Sequence, residues 1–314
     1  MLRFIVARLL TAIPTLILVS ITVFALIRLI PGDPVTLMLG DNADQQVYDT
    51  MRRHLGLDQP IPTQMFLWFQ ALLHGDLGHS ITTGEPVLQL VLHRFFISAQ
   101  LVLIAVALSA LIAVPLGMVA AWRQSSGFDL GVVFTATMLM SIPTFWGGLM
   151  LLLFFGLKLG WLPVIGYVSI AQNFWSGFLY LIMPVASLVL HETGILVRMA
   201  RASTLDVLRL DYITHARAKG LSDTAILTRH VARNAFGPTW TLLGLILGNL
   251  LGGVAVIETV FTIPGLGRLI VESIFGRDYP VLQGCLLFVA VTYVVVNLII
   301  DLCYPLFDPR IKAQ

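Results

Sequence analysis

Charged residues are scarce in this chain. Only 11% of its 314 residues are Asp, Glu, Lys or Arg, against 57% hydrophobic, where a soluble domain carries roughly 25% charge. That deficit excludes a water-facing globular surface and suits a chain whose main solvent is lipid. Lysine is the rarest charge: Lys158, Lys219 and Lys312, none of which follows a glycine. The Gly-Lys-Ser/Thr loop that cradles nucleotide phosphates is therefore missing. If ATP powers this protein, another subunit binds it. There are two cysteines, Cys285 and Cys303, 18 residues apart in one apolar run. On a helix that is about 27 Å, whereas a disulfide needs Cα atoms within about 7 Å. The net charge of +2 gives no reason to expect a nucleic-acid partner.

Enzyme signatures are missing too. His191-Glu192 opens like a zinc-protease motif, but position 195, where the second histidine belongs, is Ile. There is no G-x-S-x-G elbow, and Gly265 and Gly267 follow no strand. His74 and His79 have no metal-ligand spacing. The sequence implies no catalytic residue, no metal site and no cofactor in this chain.

Long apolar stretches take the place of charge. A crossing helix needs about 20 mostly apolar residues, and six windows qualify: 9–30, 97–121, 131–157, 178–199, 239–261 and 282–304. The expected fold class is all-α, a polytopic membrane protein. The start MLRFIVARLL resembles a signal peptide, but its apolar stretch runs on to Ile30 with no A-x-A site, so a retained first span is expected.

The third window is long enough to tilt or break. It contains Ser141-Ile142-Pro143-Thr144-Phe145-Trp146-Gly147-Gly148. Proline removes a backbone hydrogen bond, and broken backbone at membrane depth survives where protein or a water-filled cavity surrounds it. Ser141, Pro143, Phe145 and Trp146 are thus candidates for lining a translocation path, with ordinary kinked packing as the alternative. Glu192 in the fourth window and Asn249 in the fifth join them, because polar groups within a span mark function or pairing. Glu258 and Asp301 fall near window ends, where charge is tolerated. Gly244, Gly248 and Gly252 share one helix face and admit a close neighbour, from this chain or another.

Residues 31–95 hold seven acids against three arginines, punctuated by proline and glycine. They read as an extramembrane cap with short helices near 42–55 and 61–74. Placing the N-terminus inside gives the inner segments eleven basic residues and the outer segments six, so both termini are expected to be cytoplasmic. The division is then tail and first span 1–30, cap 31–95, membrane domain 96–305 and C-terminal tail 306–314.

One inner segment, 200–238, is far longer than the usual connection of about 2–8 residues between helices. It reads as a short helix, a break at Gly220-Leu221-Ser222, and a basic helix. Ser222 can cap that second helix, with Asp223 in its first turn. Pro238 marks the start of the fifth span. A loop so built either docks into a partner or grips anionic lipid headgroups.

Tyr212-Ile213-Thr214-His215-Ala216-Arg217-Ala218-Lys219-Gly220-Leu221, followed by Arg229-His230-Val231-Ala232-Arg233-Asn234-Ala235, resembles the EAA loop of ABC importer permeases. The form is closest to that of the dipeptide/oligopeptide/nickel permeases, in particular the first of their two permease subunits. Ala216 and Gly220 match the general pattern, whereas Thr214 and His215 depart from it. The resemblance extends to Arg3, Arg8 and Pro14, Ile30-Pro31-Gly32-Asp33-Pro34, Leu55-Gly56-Leu57-Asp58-Gln59-Pro60 and Gly75-Asp76-Leu77-Gly78. It continues through Glu258-Thr259-Val260-Phe261, Pro264-Gly265-Leu266-Gly267-Arg268, Arg277-Asp278-Tyr279-Pro280 and Asp308-Pro309-Arg310.

The resemblance implies a type I importer permease in a bacterial cytoplasmic membrane. Its partners would be a second permease, two ATP-binding subunits (identical or of two types), an extracytoplasmic substrate-binding protein and membrane lipid. ATP and Mg2+ would act on the partners. It further implies that Tyr212, Thr214, His215, Ala216, Arg217, Ala218, Lys219 and Gly220 dock on an ATPase, with Ala216, Ala218 and Gly220 forming the small contact face. The cap and the 263–281 loop would meet the binding protein. The substrate stays open among dipeptides, oligopeptides, glutathione, nickel and metal chelates. An ion-coupled secondary transporter acting alone, with Glu192 as its coupling acid, is the alternative.

Overall fold

The computed structural model describes residues 2–29, 35–36, 44–54 and 58–307. The motif stretches 30–34, 55–57 and 308–310, and the side chains of Arg3 and Arg8, lie outside the described residues. The described chain is helical, with one isolated bridge between His79 and Pro86. In order the helices are α1 (Leu2–Leu29), α2 (Gln45–His54), α3 (Ile61–Leu73), α4 (Val87–Trp122), α5 (Gly127–Ser141), α6 (Thr144–Lys158) and α7 (Phe174–Leu208). Then come α8 (Asp211–Ala218), α9 (Asp223–Gly253), α10 (Ala255–Val260), α11 (Leu266–Phe275) and α12 (Tyr279–Phe307). Helices α6 and α9 each contain a widened π-type stretch, Leu152–Lys158 and Ile226–Val231.

Among the described residues, four helices are long and apolar enough to cross a membrane: α4, α7, α9 and α12 up to Cys303. The bent pair α5–α6 makes a fifth candidate, and α1 adds a shorter apolar helix, Leu10–Leu26. The third window does break. At Ile142-Pro143 the chain turns by 93°, because Pro143 cannot donate to the preceding turn and instead heads α6 in extended backbone. Fifteen residues of α5 reach only about 22 Å, short of a hydrocarbon core of roughly 30 Å.

Span boundaries also shift. α4 begins at Val87, inside the expected cap, and α7 runs on to Leu208. At 36 and 35 residues, each is over 50 Å long, so roughly 20 Å of each projects past the hydrocarbon. The fifth span stops at Gly253 and passes Pro238 without a break.

Helix α4 gives the molecule two distinguishable ends. Its first residue, Val87, packs with Leu266, Leu269, Val281 and Cys285. Its last, Trp122, packs with the 207–235 segment. Between these ends the core is the α4–α7 pair, flanked by α5 and α9. At the α5 start, Asp129 accepts two hydrogen bonds from Arg201 of α7, 2.5 and 2.7 Å long, a bidentate pair. The glycine stripe finds its partner within the chain: Gly244 abuts Ile300, Gly248 the Tyr293 ring and Gly252 Val289, all on α12. A Cβ at Gly248 would sit 2.8 Å from that ring, so only glycine lets α9 and α12 approach this closely.

Candidate coupling and translocation sites

The 200–238 segment folds back on itself. Helix α7 ends at Leu208, and α8 follows after a two-residue break. Gly220, at φ +80°, then reverses the chain in a left-handed turn that side-chain-bearing residues avoid. Ser222 caps α9 by accepting from the Ala225 N–H at 3.4 Å, and Asp223 sits in its first turn. The underside of α8 is apolar. Ile213 is fully buried and Ala216 nearly so, against Val207, Ile226, Val231 and Ala235. The Asn234 amide donates to the Tyr212 hydroxyl at 2.9 Å, and the Arg217 guanidinium lies 5.2 Å from the Trp122 ring.

This geometry corrects one expectation. Ala216 is not on the outward contact face but is 6% exposed in the packed underside. Ile213 and Ala216 stand three residues apart and so share one helix side. Thr214, His215, Arg217, Ala218, Lys219 and Gly220 are exposed, with Tyr212 partly so.

The bend at Pro143 opens a cavity of about 520 Å³ between α5, α6 and α7. Pro143 and Trp146 line it, together with Leu139, Gly147, Ser187, Lys158 and His191. Its wall is largely apolar, and the buried Nδ1 of His191 has no hydrogen-bond partner among the described residues. Ser141 and Phe145 are exposed beside the bend but do not line the cavity, and the Ser141 hydroxyl donates back to the Thr137 carbonyl at 2.9 Å. Glu192 is 6% exposed, in the buried face of α7 with Leu188 and Leu196, away from the cavity. Asn249 is exposed on α9. The structure thus joins Pro143, Trp146 and His191 and separates Ser141, Phe145, Glu192 and Asn249 from them. Among the described residues no three His, Cys, Asp or Glu side chains come together as metal ligands.

Two carboxylates to which the sequence assigned no role, Glu258 and Asp278, organise the opposite end. Glu258, expected to be a tolerated charge near a span end, is fully buried. It accepts from the Ser98 hydroxyl of α4 and from the Arg268 N–H at 2.8 Å, and the Ser98 oxygen accepts from the Leu266 N–H at 2.7 Å. The carboxylate thereby caps the start of α11, whose unpaired N–H groups favour an anion. It also fills the space in front of Gly265, where any side chain would collide with it. That contact explains why glycine follows Pro264.

Asp278, 3% exposed, performs the same task for the cap. It accepts from the Ser80 and Thr82 hydroxyls at 2.5 and 2.8 Å and from the Ile81 and Thr82 N–H groups, both at 3.2 Å. Burial pushes its carboxyl up, but these hydrogen bonds outweigh that and hold it below the usual carboxylate range. The 79–86 loop and the start of α12 are one unit.

Comparison with known proteins agrees with this architecture. Residues 113–313 match the family described as "binding-protein-dependent transport system inner membrane component", and residues 1–102 match its N-terminal companion. The chain is 39% identical over 308 residues to a putative peptide transport system permease protein of Brucella abortus (strain 2308), covering 98% of each. It is 39% identical to the dipeptide transport system permease protein DppB of Alkalihalophilus pseudofirmus, covering 99% of this chain and 100% of that one. It is 38% identical to the glutathione transport system permease protein GsiC of Salmonella paratyphi A, covering both in full. In fold it is similar to a chain of the inward-facing MetNI methionine ABC transporter, with a TM-score of 0.59 at 15% identity over 70% of this chain and 96% of that one. Matched along nearly its whole length, the chain belongs to the binding-protein-dependent transport system inner membrane component family.

Proposed function

We propose that this chain is one half of the membrane pathway of an ATP-driven importer of peptides. Relatives similar over the full length are named for peptide, dipeptide and glutathione transport, and all three names describe amide-linked amino acids. ATP and Mg2+ act on two partner ATPase subunits, a second permease completes the pathway, and a binding protein delivers substrate to the cap side. Both termini and the 200–238 segment face the cytoplasm. The carrying observation is α8. Its underside is bolted to α7 and α9 through Ile213 and Ala216, while Thr214, His215, Ala218 and Lys219 are exposed at the tip and Arg217, also exposed, leans on the Trp122 ring. A small rigid element with an exposed face transmits force, which a floppy loop cannot. Alternating access then opens and closes a path past the Pro143 bend and the cavity bearing Trp146 and His191, with Ser141, Phe145 and Asn249 exposed towards the second permease. Glu192, in the helix core, does not line that cavity, so nothing favours a coupling-ion role for it.

The test is Gly220→Asp in the complex reconstituted with its ATPases and binding protein. A Cβ at Gly220 meets nothing within 4 Å, and the left-handed turn costs a side chain only about 1–2 kcal/mol. The variant therefore folds. ATP hydrolysis without peptide uptake is expected, and normal uptake would overturn the docking role.

A further inference from the structure

We propose that α3 lies in the lipid–water interface on the cap side of the membrane, held at that depth by the end of α1. Its sequence, IPTQMFLWFQALL, contains no charged residue and three aromatic ones. Thirteen residues extend about 20 Å, too short to cross, and an apolar helix of that length is an interfacial or core element. α3 is not core, since it contains no buried residue.

Its depth is set by α1. The Trp68 ring lies 5.6 Å from the Phe24 ring, and Phe24 is 2% exposed within the apolar Leu10–Leu26 stretch. One turn later, Arg28 donates from Nε and Nη2 to Gln64 Oε1 at 3.0 and 2.9 Å, with its guanidinium 3.5 Å from the Phe24 centroid. Arg28 is the first charge after that apolar stretch. Apolar helix giving way to an arginine, with aromatic rings alongside, marks where hydrocarbon meets headgroups. α3 is fastened to both sides of that line, through Trp68 on the apolar side and Gln64 on the polar side.

Its outward side chains fit that placement. Ile61, Phe66, Leu67 and Leu73 are 63, 69, 49 and 85% exposed. They continue the lipid-facing surface of α1, where Leu18 and Leu26 are 65 and 51% exposed. Helix α2 differs, with Asp49, Arg52 and Arg53 in ten residues. The cap therefore divides into a water-facing helix and a lipid-facing one. The occupant of the α3 face is the upper acyl region of the bilayer, about 5–10 Å deep. Because α3 has no cation, its insertion is indifferent to anionic headgroups.

The test uses the full chain in nanodiscs, with Cys285 and Cys303 replaced by alanine. A bimane label is placed at Phe66→Cys, at Leu67→Cys or at Leu73→Cys, with exposed Glu85→Cys as the water-facing reference. Phosphatidylcholine brominated near the headgroup should quench the three α3 labels more than lipid brominated deep in the chain, and aqueous iodide should quench them least. The order should reverse at position 85, and adding phosphatidylglycerol should leave the α3 result unchanged. Dominant iodide quenching at the α3 positions would overturn the proposal. So would labels that escape iodide only when a purified binding protein is added, which would make the face a protein-docking surface.

Discussion

Replacing Asp278 by asparagine tests the clamp between the cap and the last span. The side chain keeps its outline, but one acceptor oxygen becomes a donor NH2 facing hydroxyls and N–H groups that themselves donate. Hydrogen bonds to a charged acceptor each contribute about 1.5–3 kcal/mol. Those at Asp278 share two oxygens and do not add, so a net local loss of about 3 kcal/mol is expected, the lower end for breaking a buried charged contact. That is roughly two orders of magnitude in the local opening constant. Hydrogen exchange on the chain in nanodiscs reads it directly. Amides in 79–86 should exchange about a hundredfold faster in Asp278→Asn, while α4 and α7 stay protected. pH supplies an independent check. The folded carboxyl titrates below its ordinary range, so its contribution is fully present above that range and is lost as pH falls through the depressed value. Wild-type protection at 79–86, corrected for intrinsic exchange, should decline on acidification, and the variant should lack that decline. Protection within a few-fold of wild type in Asp278→Asn would refute the reasoning.

Two further substitutions probe the other anchors. Gly265→Ala places a methyl group on the Glu258 carboxylate and should cost about 1–3 kcal/mol, as overpacking does, lowering the thermal midpoint in detergent; an unchanged midpoint would show that the 261–268 loop can relax. Ile213→Ala removes the fully buried anchor of α8, a loss of about 2–5 kcal/mol. Uptake should fail while the thermal midpoint of the spans holds, with faster tryptic cleavage at Arg217 and Lys219 as the readout.

Some of this was legible in the sequence because the cause is local. Pro143 in an overlong apolar window foretold the break, and Ser222 with Asp223 foretold the start of α9. Ala216 was misplaced even though a signal existed: its three-residue spacing from Ile213 puts both on one side of α8. Glu258 was misread for a different reason. A hydropathy window reports distance along the chain from a span end, not burial, and the partner that matters, Ser98, is 160 residues away. The Asp278 clamp, which reaches Ser80, hides for the same reason. The glycine stripe on α9 announced a close neighbour, but small residues carry no address, and only the fold shows that α12 occupies it.

The continuity of α9 has a mechanical consequence. From Asp223 beside the α8 turn to Gly253, one hop from the Glu258 anchor, it is a single unbroken helix of 31 residues, about 46 Å of rod. A rod of that length acts as a lever. A tilt of about 10° at one end moves the other by about 8 Å at a 1.5 Å rise per residue, enough to open or shut a passage for a small solute. The glycines facing α12, Gly244, Gly248 and Gly252, let the last third of that rod pack closely on its neighbour, and the carboxylate anchor fixes what its far tip pulls on. Events at the α8 tip and at the cap end therefore need no chain of intermediaries, because one helix touches both.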